Sequence, residues 1–125
     1  MNKKQWRWVG EVFIAFFLLT GCAGVQMKTS NLIFQAKDKV SNGDLVGSLP
    51  FLKKALALEP DDVEANATMA RVQYCLGHFQ AARRYAEKTL RLNPRDFRAM
   101  GIVGLVNLRS KKYSEGIDLM TKAMK

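Results

Sequence analysis

The chain has 125 residues, 48% hydrophobic and 25% charged, with 20 Lys/Arg against 11 Asp/Glu for a formal net charge of +9. That composition excludes wholesale disorder and leaves room for one small domain. Two cysteines and a single histidine exclude a Cys/His zinc cluster and a disulfide framework, while the basic excess points to acidic partners.

The first residues read as an address. Lys3, Lys4 and Arg7 precede an uninterrupted apolar run, Val12 to Leu19, of eight residues. A bilayer needs roughly 20, so the run fits the core of a secretory signal instead. Glu11 at its edge keeps an uncleaved anchor running from Trp8 open as the alternative. Next comes Leu19-Thr20-Gly21-Cys22, with Leu three places before the cysteine and two small residues between.

That tetrapeptide resembles a bacterial lipobox. The resemblance implies a diacylglyceryl group on the Cys22 thiol, cleavage after Gly21, and acylation of the new N-terminus. Several acyl chains together hold a protein stably where one does not. Ala23 stands where an Asp would resemble an inner-membrane retention signal, so the resemblance implies an outer-membrane lipoprotein facing the periplasm. On this reading 1–21 is signal peptide, 22–28 a lipidated tether and 29–125 the folded domain. An extended tether of that length reaches roughly 20 Å. Secretion, rather than charge, argues against nucleic acid as a partner.

Beyond the tether the sequence repeats. Leu56-Ala57-Leu58-Glu59-Pro60 returns as Leu90-Arg91-Leu92-Asn93-Pro94, an offset of 34 residues. At the same offset small residues recur in three sets: Ala36, Ala70, Gly104; Ser48, Ala82, Gly116; and Ala55, Thr89, Ala123. Leu45, Phe79 and Tyr113 form a large-residue set, and Gly43 and Gly77 share a turn position that Lys111 takes in the last copy. This pattern resembles the tetratricopeptide repeat, an antiparallel helix pair in which small residues mark close helix contacts. The resemblance implies an all-α, right-handed α-solenoid of about three helix-turn-helix pairs, approximately 29–62, 63–96 and 97–125.

Periodicity agrees independently. Phe79, Ala82, Ala86 and Leu90, then Tyr113, Ile117, Met120 and Met124, form helical stripes. Pro60 and Pro94 stop helices, and Asp61 or Asp62 and Asp96 are fit to cap the next ones. Helices are expected over 29–41, 45–58, 63–76, 79–92, 97–109 and 113–124. Pro50 should delay or kink the second, with Ser48 as its new cap. The third copy stops before a closing proline, with no polar cap to follow. Its apolar surface is expected to be exposed, for a partner or a second copy forming a homodimer to cover.

The first helix of each pair lines the inner face in such repeats. The resemblance places Lys37 and Val40 there, then Glu64, Arg71 and Tyr74, then Arg98, Leu105 and Arg109. Lys37, Arg71, Tyr74, Arg98, Leu105 and Arg109 make a cationic groove suited to an envelope protein or peptide with acidic groups. The carboxylate clamp of some family members is not matched: at its places stand Ile33, Lys37, Thr68, Arg98 and Ile102. A second basic run, Arg83, Arg84, Lys88, Arg91 and Arg95, offers an outer face to lipid or cell wall. Cys75 reads as a partly buried small hydrophobe and His78 as a turn residue. No phosphate loop, nucleophile arrangement or paired carboxylates appear, so no enzyme, cofactor or metal is expected. The expected role is a protein–protein adaptor or assembly factor for an envelope complex such as a pilus or secretin apparatus. The alternatives are an adaptor positioning cell-wall enzymes and a lipid- or wall-facing structural lipoprotein.

Overall fold

The computed structural model describes residues 24–125, and they form helices joined by short turns. The helices are α1 (24–41), α2 (Leu45–Leu58), α3 (Val63–Cys75), α4 (Phe79–Leu92), α5 (Phe97–Arg109) and α6 (Tyr113–Ala123). They pair as α1/α2, α3/α4 and α5/α6, and each pair packs on the next, α2 on α3 and α4 on α5, while α3 also touches α5. The expected signal peptide and Cys22 lie outside the described residues.

The chain's own chemistry sets the ends of these helices. Asp44, Asp62 and Asp96 cap α2, α3 and α5, each accepting a backbone N–H three residues on, at Gly47, Ala65 and Ala99. The turns inside the pairs share one geometry. Gly43 (φ 80), Gly77 (φ 82) and Lys111 (φ 60) are left-handed. Each donates to the carbonyl three residues back, at Val40, Tyr74 and Leu108, and the next amide donates five residues back, at Lys39, Gln73 and Asn107. This is the Schellman ending, repeated at intervals of 34 residues.

The small residues pack as the repeat demands. Ala36, Ala70, Ser48, Ala82, Ala55 and Thr89 are fully buried, and Gly104 and Gly116 are buried against each other, whereas terminal Ala123 is half-buried. A Cβ built on Gly116 would lie 2.9 Å from the Gly104 carbonyl oxygen. The core is a row of clusters: Ile33, Ala55 and Ala65; then Ala36, Val40, Leu52, Met69 and Val72; then the larger set from Ala70 to Val106.

Four expectations need correction. Residues 24–28 belong to α1 instead of an extended tether, since no proline or turn pair separates them from the repeat. Helical rise shortens their reach to about 1.5 Å each. Pro50 neither delays nor replaces the start of α2: the helix begins at Leu45 under the Asp44 cap and carries Pro50 inside it. The carbonyl that loses its helical donor belongs to Val46, which is 66% exposed and so within reach of water. Ser48 is buried, its hydroxyl donating to the Leu45 carbonyl at 2.6 Å. Cys75 is exposed, because it sits at the last position of α3. The expected exposure of the final pair is present: Tyr113 and Ile117 on α6, and Met124 just past its end, are exposed.

Candidate binding groove

Three helices, one from each pair, frame a groove of about 420 Å³. α1 supplies Lys37 and Ser41, α3 supplies Glu64 and Arg71 over a floor of Ala67 and Thr68, and α5 supplies Arg98 and Ile102. Helical spacing explains the walls, since Glu64, Ala67/Thr68 and Arg71 follow i, i+3/i+4, i+7 along α3.

Ion pairs organise its charge. Glu64 accepts from the Lys37 ammonium at 3.0 Å through Oε1 and from the Arg98 guanidinium at 2.8 Å through Oε2. Arg98 also donates to Asp96 at 2.9 Å, and the other Asp96 oxygen accepts from the Ala99 amide. Burial pushes the Glu64 carboxyl up, but the hydrogen bonds from Arg98 and Lys37 outweigh it and hold the group below its ordinary range. Asp96 behaves likewise: burial raises it, while Arg98 and the Ala99 amide lower it further. In return Asp96 and Glu64 push Arg98 up against the opposing effect of burial.

The expected cationic groove is therefore partly neutralised from within. Of the three cations that line the observed groove, two share Glu64. Arg71 is exposed and has no ion pair among the described residues.

Structure brings Lys37, Arg71 and Arg98 together but not the other three groove residues. Tyr74 meets Phe79 in an edge-to-face arrangement, with centroids 5.4 Å apart and planes at 64°, and packs on the larger core cluster. The Arg109 guanidinium lies over the Phe79 ring, 4.1 Å from its centroid, held by cation–π attraction. Arg109 thus borders a separate recess at the α3–α4 turn. Leu105 is half-buried and lines neither recess. Val40 is buried in the core.

Two further recesses continue from the first. One of about 530 Å³ runs along α1 past Phe34 and Asp38 to Asp62, and another of about 700 Å³ reaches Met27 and Glu59. The sequence reading missed this half. The available signal was Phe34, an aromatic three residues before Lys37 and one position after buried Ile33, so off the core stripe.

On α4 the basic run is partly engaged. Arg83 pairs with Glu87 at 2.7 Å and donates to the buried Asn107. Lys88 pairs with Asp61 and donates to the Pro60 carbonyl. His78 shares a 2.8 Å hydrogen bond with Gln73 in the turn. Among the described residues no group of His, Cys, Asp and Glu is placed to hold a metal. No described helix is long and apolar enough to cross a membrane.

Comparison with known proteins gives one family match, to a model described as tetratricopeptide repeat, over residues 39–102. The human protein SGT1 homolog is 32% identical over 98 residues, 78% of this chain and 27% of that protein. The chain thus spans about a quarter of that relative. Among solved structures, PilF of Pseudomonas aeruginosa superposes with a TM-score of 0.71 at 22% identity, covering 82% of this chain and 46% of that one. The second repeat domain of Spaghetti, bound to an HSP90 peptide, superposes with a TM-score of 0.72 at 10% identity, covering 78% and 90%. At such identities the likeness is one of fold.

Proposed function

Because the chain belongs to the tetratricopeptide repeat family, whose helix pairs serve as protein-binding modules, we propose that it is a non-catalytic adaptor at the bacterial outer membrane. Lipid on Cys22 holds it at the periplasmic face, where it helps assemble an envelope complex such as a pilus or secretin apparatus. The carrying observation is the groove framed by α1, α3 and α5, with Arg71 free on its wall. The Leu19–Cys22 pattern supports the location, and the fold likeness to PilF is compatible with the role.

The test is a crosslinked pull-down from detergent-solubilised envelopes. Arg71→Glu is the informative variant. Removing Arg98 would also strip the partner from Asp96, whose side chain is only 4% exposed, and confound binding with stability. One dominant protein, lost in Arg71→Glu and kept in Arg84→Ala with Arg91→Ala, supports the adaptor reading. The reverse pattern replaces it with a lipid- or wall-facing role. Separately, Cys22→Ser accumulates as an unlipidated precursor, and normal processing with membrane retention would overturn the anchor.

A further inference from the structure

The groove is longer than its first recess. The first and second recesses share Lys37, Ser41 and Glu64 as walls, and the second and third share Ser30, Phe34 and Asp62. One trough therefore runs along α1 from the Arg71 end to the Met27 end.

Charge changes sign along that trough. At one end Arg71 is an exposed cation with no ion pair among the described residues. In the middle, Glu64 absorbs Lys37 and Arg98. Beyond it Asp38 lines the second recess, Glu59 the third and Asp62 both; none of the three is in an ion pair among the described residues, and Phe34, which lines both recesses, is 73% exposed. An acidic stretch is unexpected on a chain of net charge +9. A uniformly acidic ligand, the kind that bulk charge suggests, would gain at Arg71 and be repelled at the other end.

We infer that the trough takes an extended partner segment that is itself dipolar: an acidic residue seated on Arg71, and an arginine or lysine laid over Phe34 among Asp38, Glu59 and Asp62. This rests on the adaptor reading and specifies its ligand. An exposed aromatic face beside carboxylates suits a cation with an apolar stem, which gains ring contact and charge pairing together. Spacing follows from α1: Ser41, which lines the first recess together with Arg71, is two helical turns from Phe34, about 10 Å, which an extended peptide crosses in about three residues. The Lys37–Glu64–Arg98 tie between the two anchors discourages a second ligand charge there.

The test is to pan a phage-displayed random peptide library on the detergent-purified full chain. Enriched peptides are expected to pair Asp or Glu with Arg or Lys about three positions away. Arg71→Glu should cut enrichment of the acidic position at least about tenfold, the size of one lost charge-assisted hydrogen bond, and spare the basic one. Phe34→Ala with Asp38→Ala, both at exposed sites, should do the converse. A purely acidic consensus, no enrichment, or a consensus indifferent to both variants overturns the inference. If the envelope pull-down still yields an Arg71-dependent partner, the adaptor reading stands while the dipolar ligand falls.

Discussion

Lys111 is the one non-glycine residue at positive φ among the described residues, and it stands where the other two copies have glycine. Left-handed backbone costs an L-residue about 1–2 kcal/mol through crowding of Cβ against the following carbonyl. Glycine avoids that cost but loses more chain entropy on folding, by about 0.5–1 kcal/mol. Lys111→Gly should therefore stabilise the α5/α6 pair by about 0.5–1 kcal/mol. In a domain of this size 1 kcal/mol moves the melting midpoint roughly 4–8 °C, so a rise of about 2–8 °C is expected by far-UV circular dichroism. Because repeat domains unfold in parts, hydrogen exchange should show the gain concentrated in α6. Gly77→Ala is the reciprocal change, with a midpoint lowered by a comparable amount or more. A Lys111→Gly midpoint that falls or stays fixed would refute the reasoning.

Three further outcomes are expected. Pro50→Ala should raise stability by about 1–3 kcal/mol, since it restores a helical hydrogen bond and relieves the ring clash, read as a shift in the urea midpoint. Gly116→Ala should destabilise by about 1–2 kcal/mol, because its Cβ would meet the Gly104 carbonyl at 2.9 Å and the Leu108 side chain at 2.8 Å, more than offsetting the helix propensity gained. An unchanged melt would show that α6 moves aside without cost. Glu64 and Asp96 titrate below their ordinary values of 4.5 and 3.8 in the folded state. Their stabilisation is therefore full above those values and is lost as pH falls beneath them. Glu64→Gln should flatten the acid limb of the stability–pH curve, and a superimposable limb would remove Glu64 from the account.

From α2 onward the helices were legible almost to the residue because the repeat left its punctuation in the sequence, whereas the start of α1, five residues earlier than expected, carries no such mark. Pro60 and Pro94 close helices, Asp62 and Asp96 open them, and Gly43 and Gly77 supply the turns. Pro50 misled because sequence alone does not show which face of α2 is exposed. Proline is tolerated where the orphaned carbonyl, here that of Val46, lies on the exposed side. Half of the groove was readable through the family resemblance, which places Lys37, Arg71 and Arg98 on the inner face. Its internal neutralisation was not. Glu64 meets Lys37 across 27 residues and Arg98 across 34, and such meetings depend on how three helices are rotated about their own axes. The same rotation sends Arg109 to Phe79 and Tyr74 to the core. Small-residue periodicity fixes which helices touch but leaves long charged side chains several reachable partners.

Glu64 has a mechanical consequence as well. It takes one bond from the pair before its own and one from the pair after, so a single carboxylate stitches three successive units along one edge of the stack. A solenoid is a spring, and it bends by lengthening or shortening that edge. The stitch sets the rest length. The paired charges sit 2.8–3.0 Å apart, well inside the screening length of about 8 Å at physiological salt, so the stitch weakens only toward molar salt, where that length falls to about 3 Å.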